Sequence, residues 1–448
     1  MIHSYLSILI IFASCIALYL AYWLIKIAAG TVKIPLISTF FMLNYLVIIY
    51  IGSVLLNVFH FNYPGLDKRP DLLLYTWLYA TAGLFLIPLG MIVVNIATGY
   101  KAQEKTRILL AKEINITSLD KSNFTFIVLI LLFFISFVVL MIYRRELGIL
   151  PIEGVFKGFS YGKLAYLREL SINQFTGHYY RYRIFMVNLP LLLLLIAFFM
   201  KKVAIKYKLL FYFLLLFNIF VNIMSLMKAP VVFLLIILLI AYIYLKRSIR
   251  KKQLISMSIL IGTLLTSMSM FFMGNIGRSF RVIFSGIIRR ICIGQIMPFF
   301  HYQLYWEKFG SLGISSFLPN PGGILPFESI PYTVKIKEFA FPEAFSSGVG
   351  GSMPTVFFGQ WLISFGPLMA LFSMVLLGII IQSMDIFFVT KLANKKGVFL
   401  LALFINIIYF MSGFVGTGYG GILIHNGWIM PLFVILSIYA IRAILKEI

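Results

Sequence analysis

The sequence predicts an all-α polytopic membrane protein, a single integral membrane domain over residues 1–448 with about eleven transmembrane helices and two large structured outer loops. Three observations predict it. Hydrophobic residues make up 61% of the chain and charged residues only 12%, with a mean hydropathy of +1.00, which is far too apolar for a soluble globular protein. Apolar runs repeatedly exceed the ~18 residues that mark a spanning helix. Cations gather between those runs, so the net charge of +24 is expected to set orientation and meet anionic lipid, with no nucleic acid as partner.

The runs lie at roughly 5–25, 36–57, 72–96, 124–142, 184–200, 209–225, 230–246, 254–274, 357–388, 398–415 and 428–444. The first has no cation before it, and its first lysine, Lys26, follows it. That order reverses a signal peptide's charged leader, so the run reads as a retained helix with its N-terminus outside. Alternate connections (26–35, 97–123, 201–208, 247–253, 389–397 and the tail from 445) are short or lysine-rich and read as cytoplasmic. Cys15 and Cys292 make neither a disulfide framework nor a metal-ligand spacing. No repeat and no matched pair of Gly/Pro-broken helices marks the two halves of a transporter. Asp385, near the inner end of its helix, forms no midplane ion pathway.

Lysine dominates the inner connections, as in KKVAIKYK (201–208), KRSIRKK (246–252) and KLANKKG (391–397). Arginine collects outside. Arg69, Arg144, Arg145, Arg168, Arg181, Arg183, Arg278, Arg281, Arg289 and Arg290, ten of the fourteen, fall on the outer side, with His3, His60, His178, His301 and His425. Topology needs only charge, so a selective excess of planar bidentate donors on one face points to anion binding there. Two outer segments, 143–183 and 275–354, are longer than turns require, and their aromatic content argues against disorder. In the second, FLPNPGGILPFESIP (317–331) and FPEAFSSGVGGSMP (341–354) predict a turn-laden cover followed by a flexible Gly/Ser hinge. The Gly/Ser run lacks Walker spacing, so no nucleotide site is expected.

The densest chemistry lies in Ile276–Glu307, IGRSFRVIFSGIIRRICIGQIMPFFHYQLYWE. Arg289 and Arg290 follow one apolar segment and precede another, at a depth where guanidinium forks suit a phosphate or pyrophosphate headgroup. Snorkelling to lipid is the alternative. Arg278 and Arg281 are second-rank helpers. Lys228, in MSLMKAP, sits in a tight turn expected at the same outer level, where it too either helps or snorkels. No DxD-like or His/Asp cluster offers a metal, and no cofactor is expected.

Two large outer loops with arginines in both, an RR pair opening the second, a Pro/Gly-rich stretch after it and then GGSMPTVFFGQWLISFGPLMALFSMVLLGIII (350–381) resemble the bacterial Wzy polysaccharide polymerases. These build O-antigen, enterobacterial common antigen and related glycans. The resemblance covers most of the chain in layout and is strongest over 285–301 and 346–368. It implies a GT-C-like fold in the bacterial cytoplasmic (inner) membrane, with the active site facing the periplasm or outside. It implies metal-independent inverting transfer of a glycan from undecaprenyl diphosphate to the terminal hydroxyl of a second lipid-linked repeat unit. The partners it implies are undecaprenyl-diphosphate-linked oligosaccharides, membrane lipid, and a chain-length regulator and flippase of the same pathway.

A diphosphate leaving group needs preorganised positive charge, and an acceptor hydroxyl needs a base within reach. By resemblance Arg168, in LAYLREL, stands where the family's first outer loop contributes a functional arginine. Arg181 and Arg183 are alternatives, and Gly162–Lys163 replaces a closer arginine pair. Candidates for the base are His301, Glu169, Glu307 and His425, the last in GGILIHNGW. Three other functions compete. An O-antigen ligase would use a similar outer site. A lipid-linked oligosaccharide flippase would line a transmembrane cavity with cations and keep its outer loops short. A scaffold would tolerate lysine for every outer arginine.

Overall fold

The computed structural model describes residues 2–59, 69–172, 175, 179–246, 251–272, 280–318, 320, 325–346, 351–416, 418 and 426–447. Arg278, His425, His60, His178 and residues 347–350 of the expected hinge lie outside them. The described residues form helices joined by turns. In order these are α1 (Ile2–Ala29), α2 (Ile37–Tyr45), α3 (Ile51–Val58), α4 (Pro70–Thr98), α5 (Ala102–Ala111), α6 (Ser118–Lys121), α7 (Asn123–Leu147), α8 (Pro151–Phe156), α9 (Tyr161–Ile172), α10 (Tyr179–Arg183) and α11 (Leu189–Met200). There follow α12 (Ile205–Ile223), α13 (Lys228–Lys246), α14 (Lys251–Phe272), α15 (Phe280–Ile288), α16 (Phe299–Phe309), α17 (Tyr332–Ala340), α18 (Pro342–Ser346), α19 (Phe357–Phe365), α20 (Pro367–Asn394), α21 (Val398–Ser412) and α22 (Asn426–Glu447).

Among the described residues nine helices are long and apolar enough to cross a membrane, so the chain is a polytopic membrane protein. Two of the nine are helices carried through a π turn: α2 and α3 join through Leu46–Tyr50, and α10 and α11 through Ile184–Asn188. The expected spans 254–274 and 428–444 are also helical, α14 and α22, each 22 residues long, with shorter apolar stretches at Ser258–Met268 and Ile429–Ala440.

One expected span is corrected. The run 357–388 is not a single helix, because α19 stops at Gly366 (φ +93°) and Pro367 opens α20. Glycine takes the left-handed backbone that ends a helix, and proline at the first position of the next has no N–H to offer the preceding turn. The crossing helix is Pro367–Asn394 alone. The lysine-rich stretch 97–123, expected as a loop, carries α5 and α6.

The chain divides into two compact units, each assembled from separated segments. Unit 1 holds residues 1–107, 286–389 and 411–424, and unit 2 holds 108–285, 390–410 and 425–448. In unit 1, α4 and α20 cross at two glycines. A Cβ built on Gly90 would lie 2.2 Å from the Val375 carbonyl oxygen, and one on Gly378 would lie 2.1 Å from that of Ile87. Without a hydrophobic drive between helices in lipid, such close backbone approach is what holds them. Asp385 has a structural task here: its buried carboxylate accepts from the Ile37 and Ser38 amides at 2.9 Å, capping α2, whose own N-cap Leu36 cannot.

In unit 2, every residue of α11 is buried. At one end of that unit Tyr143 gathers Phe175, Tyr179 and Tyr182 at ring separations of 5.2, 5.8 and 5.6 Å, over a core of Leu140, Met186, Phe217 and Met224. Elsewhere in unit 2 the fully buried Lys396 turns its ammonium toward the carbonyls of Leu109, Lys112 and Tyr244, at the C-terminal ends of α5 and α13. That is the cationic counterpart of an N-cap carboxylate.

Candidate functional site

The exposed helix α15 runs directly into a π turn, Arg289–Ile293. A π turn inserts one extra residue and is met often at functional sites. Here Arg289 and Arg290 are exposed while Ile293 is buried. The turn rests on α3 through Gly52, on which a Cβ would fall 1.8 Å from the Cys292 carbonyl oxygen. Only glycine permits that approach. Gly294 then lets the chain fold back, since a Cβ there would lie 2.6 Å from the Arg290 carbonyl oxygen. Cys292 is half-buried and its thiol is pushed up by burial, away from reactivity.

Helix α16 follows and lies on α4 through residues four apart. Phe299 meets Tyr79 edge to face with centroids 5.4 Å apart. Gln303 donates to Thr76 Oγ1 at 2.7 Å, and Glu307 accepts from Arg69 at 3.0 and 3.2 Å. The i, i+4, i+8 spacing puts all three on one helical face. Arg69 also donates to Asp71 at 2.7 Å. Arg69 is the N-cap residue of α4, where a lone cation is unfavourable, and the two carboxylates offset it. They also raise its guanidinium's affinity for its proton.

The opposite face of α16 is covered by α17 and the residue after it. Tyr305 packs on Phe339, Tyr302 on Tyr332, and His301 on Phe341, with the last two rings 5.7 Å apart. His301 is 4% exposed, and burial pushes its imidazole down to about 4. It is therefore neutral at pH 7. The Tyr332 phenol is pushed up to about 12 by the same burial. On α19, Gln360 donates to the carbonyls of Ser316 and Phe317 at 3.3 and 2.9 Å. Its buried Oε1 has no hydrogen-bond partner among the described residues. A Cβ on Gly418 would lie 2.3 Å from that oxygen and 2.6 Å from the Tyr332 hydroxyl.

The expected site residues thus fall into two sets. Arg289, Arg290, His301 and Glu307 belong to unit 1, where Glu307 is engaged by Arg69. Arg168, Glu169, Arg181, Arg183, Lys228 and Arg281 belong to unit 2. On α9, Arg168 is half-buried and Glu169 exposed; the helix end is held because Ser171 donates to the Arg168 carbonyl at 2.8 Å and Tyr143 donates to that of Ser171 at 2.7 Å. Arg181 is exposed and Arg183 half-buried where α10 enters its π turn. Arg281 is exposed near the start of α15. Lys228 opens α13 after a tight turn in which Leu226 takes φ +56°. Among the described residues no three His, Cys, Asp or Glu side chains gather as metal ligands.

Sequence reasoning gave Arg69 no role, and passed over Gln303 and Gln360. The two glutamines carried a signal, since each is the only amide in its apolar helix. Gly52 carried none, because a glycine in an apolar span has many uses. Comparison with protein families, with curated proteins and with solved structures finds no match to this chain.

Proposed function

We propose that the chain is a metal-independent glycosyltransferase of the bacterial cytoplasmic membrane that polymerises undecaprenyl-diphosphate-linked repeat units on its outer face. The observation that carries this is the adjacent exposed pair Arg289 and Arg290, raised on a glycine-backed π turn. The acceptor's terminal hydroxyl oxygen forms a bond to C1 of the donor's reducing-end sugar. The C1–O bond to the diphosphate breaks, and the hydroxyl proton passes to a base. Undecaprenyl diphosphate leaves with its electron pair and the added negative charge, which the two guanidinium forks meet. His301, neutral but enclosed, is the candidate for the base that lies in the same unit as the pair. Glu307 has both carboxylate oxygens occupied by Arg69.

The test is direct. The protein is purified with its native lipid, the bound lipid-linked glycan is identified by mass spectrometry, and that glycan is supplied back to protein in detergent. A ladder of products still attached to undecaprenyl diphosphate supports the proposal. Transfer to a different acceptor without a ladder would make the protein a ligase, and transbilayer movement without any new glycosidic bond would make it a flippase.

A further inference from the structure

At the end of α4 remote from Arg69, unit 1 carries an open cleft of about 650 Å³ between the C-terminal turns of α1 and α4 and the first turns of α5. The cleft's wall on α4, Ile92 to Ile96, stands ~35–40 Å along that helix from the Arg69–Glu307 pair, more than the ~30 Å of a bilayer core. We propose that it binds a phospholipid with a net-negative headgroup, in the leaflet opposite that pair.

Two left-handed glycines build the site. Gly99 (φ +64°) ends α4 and turns the chain into Tyr100 and Lys101. Gly30 (φ +73°) ends α1 directly against α5, where a Cβ would lie 2.4 Å from the Gln103 nitrogen. The wall is pinned by Asn95, which donates to the Ala28 carbonyl at 2.7 Å and accepts from Gln382 of α20 at 2.7 Å.

The lining has two characters. Ile27, Ile92 and Ile96 form an apolar side, with Ile27 60% and Ile96 77% exposed on spanning helices, as suits acyl chains. Lys101, Glu104 and Arg107 stand at the polar mouth, two cations against one carboxylate. The first-turn amides of α5 have no intrahelical acceptor and add to the positive potential. The volume lies within the ~300–1,000 Å³ of small-ligand sites, enough for a headgroup, glycerol and the first methylenes. A free phosphate would use the mouth alone, whereas a phospholipid uses both sides.

Native mass spectrometry of the purified full-length protein tests this with phosphatidylglycerol, phosphatidylcholine of equal chain length, and glycerol 3-phosphate as probes. Phosphatidylglycerol adducts should outlast phosphatidylcholine adducts, and each of Lys101→Gln and Arg107→Gln should weaken them by roughly fivefold. Lys105→Gln, on the same helix but not in the lining, should leave them unchanged. Ile96→Asn should weaken phosphatidylglycerol and spare glycerol 3-phosphate. Equal retention of the two lipids, indifference to Lys101→Gln and Arg107→Gln, or full displacement by glycerol 3-phosphate would each overturn the proposal. Thermal midpoints of the variants separate lost binding from lost fold.

Discussion

Arg69 and the Arg289–Arg290 pair, all in unit 1, are arginines in opposite circumstances. Arg69 is met by two carboxylates of the protein itself, and its fork is used to hold the end of α16 against α4. The pair lies exposed on a turn whose backbone is fixed by Gly52. The Arg69 fork serves the packing of two helices, while guanidinium groups held at the surface on a rigid support are within reach of an anion from outside.

The sharpest way to break this contrast is to remove the planar forks while keeping charge. A charge-assisted hydrogen bond contributes roughly 1.5–3 kcal/mol, so Arg289→Lys or Arg290→Lys should slow polymer formation by about ten- to hundredfold, and the double alanine variant by more. Membranes carrying equal amounts of each variant give the rates. Wild-type rates in both lysine variants would return the pair to lipid anchoring.

His301 supplies the next effect, from a group whose charge the fold excludes. Its folded pKa, about 4, lies below the unfolded value near ~6.5, so between those values the unfolded chain binds the extra proton. Stability is then complete above ~6.5 and is lost as pH falls toward 4, by up to about 3 kcal/mol. Thermal midpoints from pH 7 to 4 should show this slope, and His301→Phe should flatten it. Identical slopes would mean the imidazole is not enclosed.

Gln303→Leu keeps the volume of α16 but removes the donor to Thr76, and should destabilise by about 1–1.5 kcal/mol in a denaturation series. The smallest effect is expected at the exposed pair. Glu307→Gln should leave the thermal midpoint near wild type and change transfer less than threefold, because exposed ion pairs contribute little. A hundredfold loss of transfer there would place Glu307 among the catalytic groups and dissolve the contrast with Arg289 and Arg290.

The spanning helices were legible because their signal is local: an apolar run such as 124–142 needs no partner to be read. The arginines were legible as a class, from their separation from lysine along the chain. Their sorting was not, since Asp71 is near Arg69 in sequence but Glu307 lies 238 residues away. The π turns were invisible for a related reason, because RRICI is as good an α-helix as any and the extra residue is accommodated by α3, through Gly52. Asp385 was noticed as a charge near a helix end, but its task required knowing that α2 begins beside it.

The break at Gly366–Pro367 bears on how the chain enters the membrane. Residues 357–388 offer more apolar length than one crossing uses, so an uninterrupted helix could slide, with any of several ~20-residue windows inserted. Proline fixes where the crossing begins. Helix α19, nine residues and ~14 Å long, is too short to insert by itself. It takes its place only once Phe299, Tyr79 and Phe41 are there to receive Phe357 and Phe358. Assembly is thereby ordered in time: α2, α4 and α16 must be present before α19 settles, and since α19 follows all three along the chain, synthesis delivers them in that order.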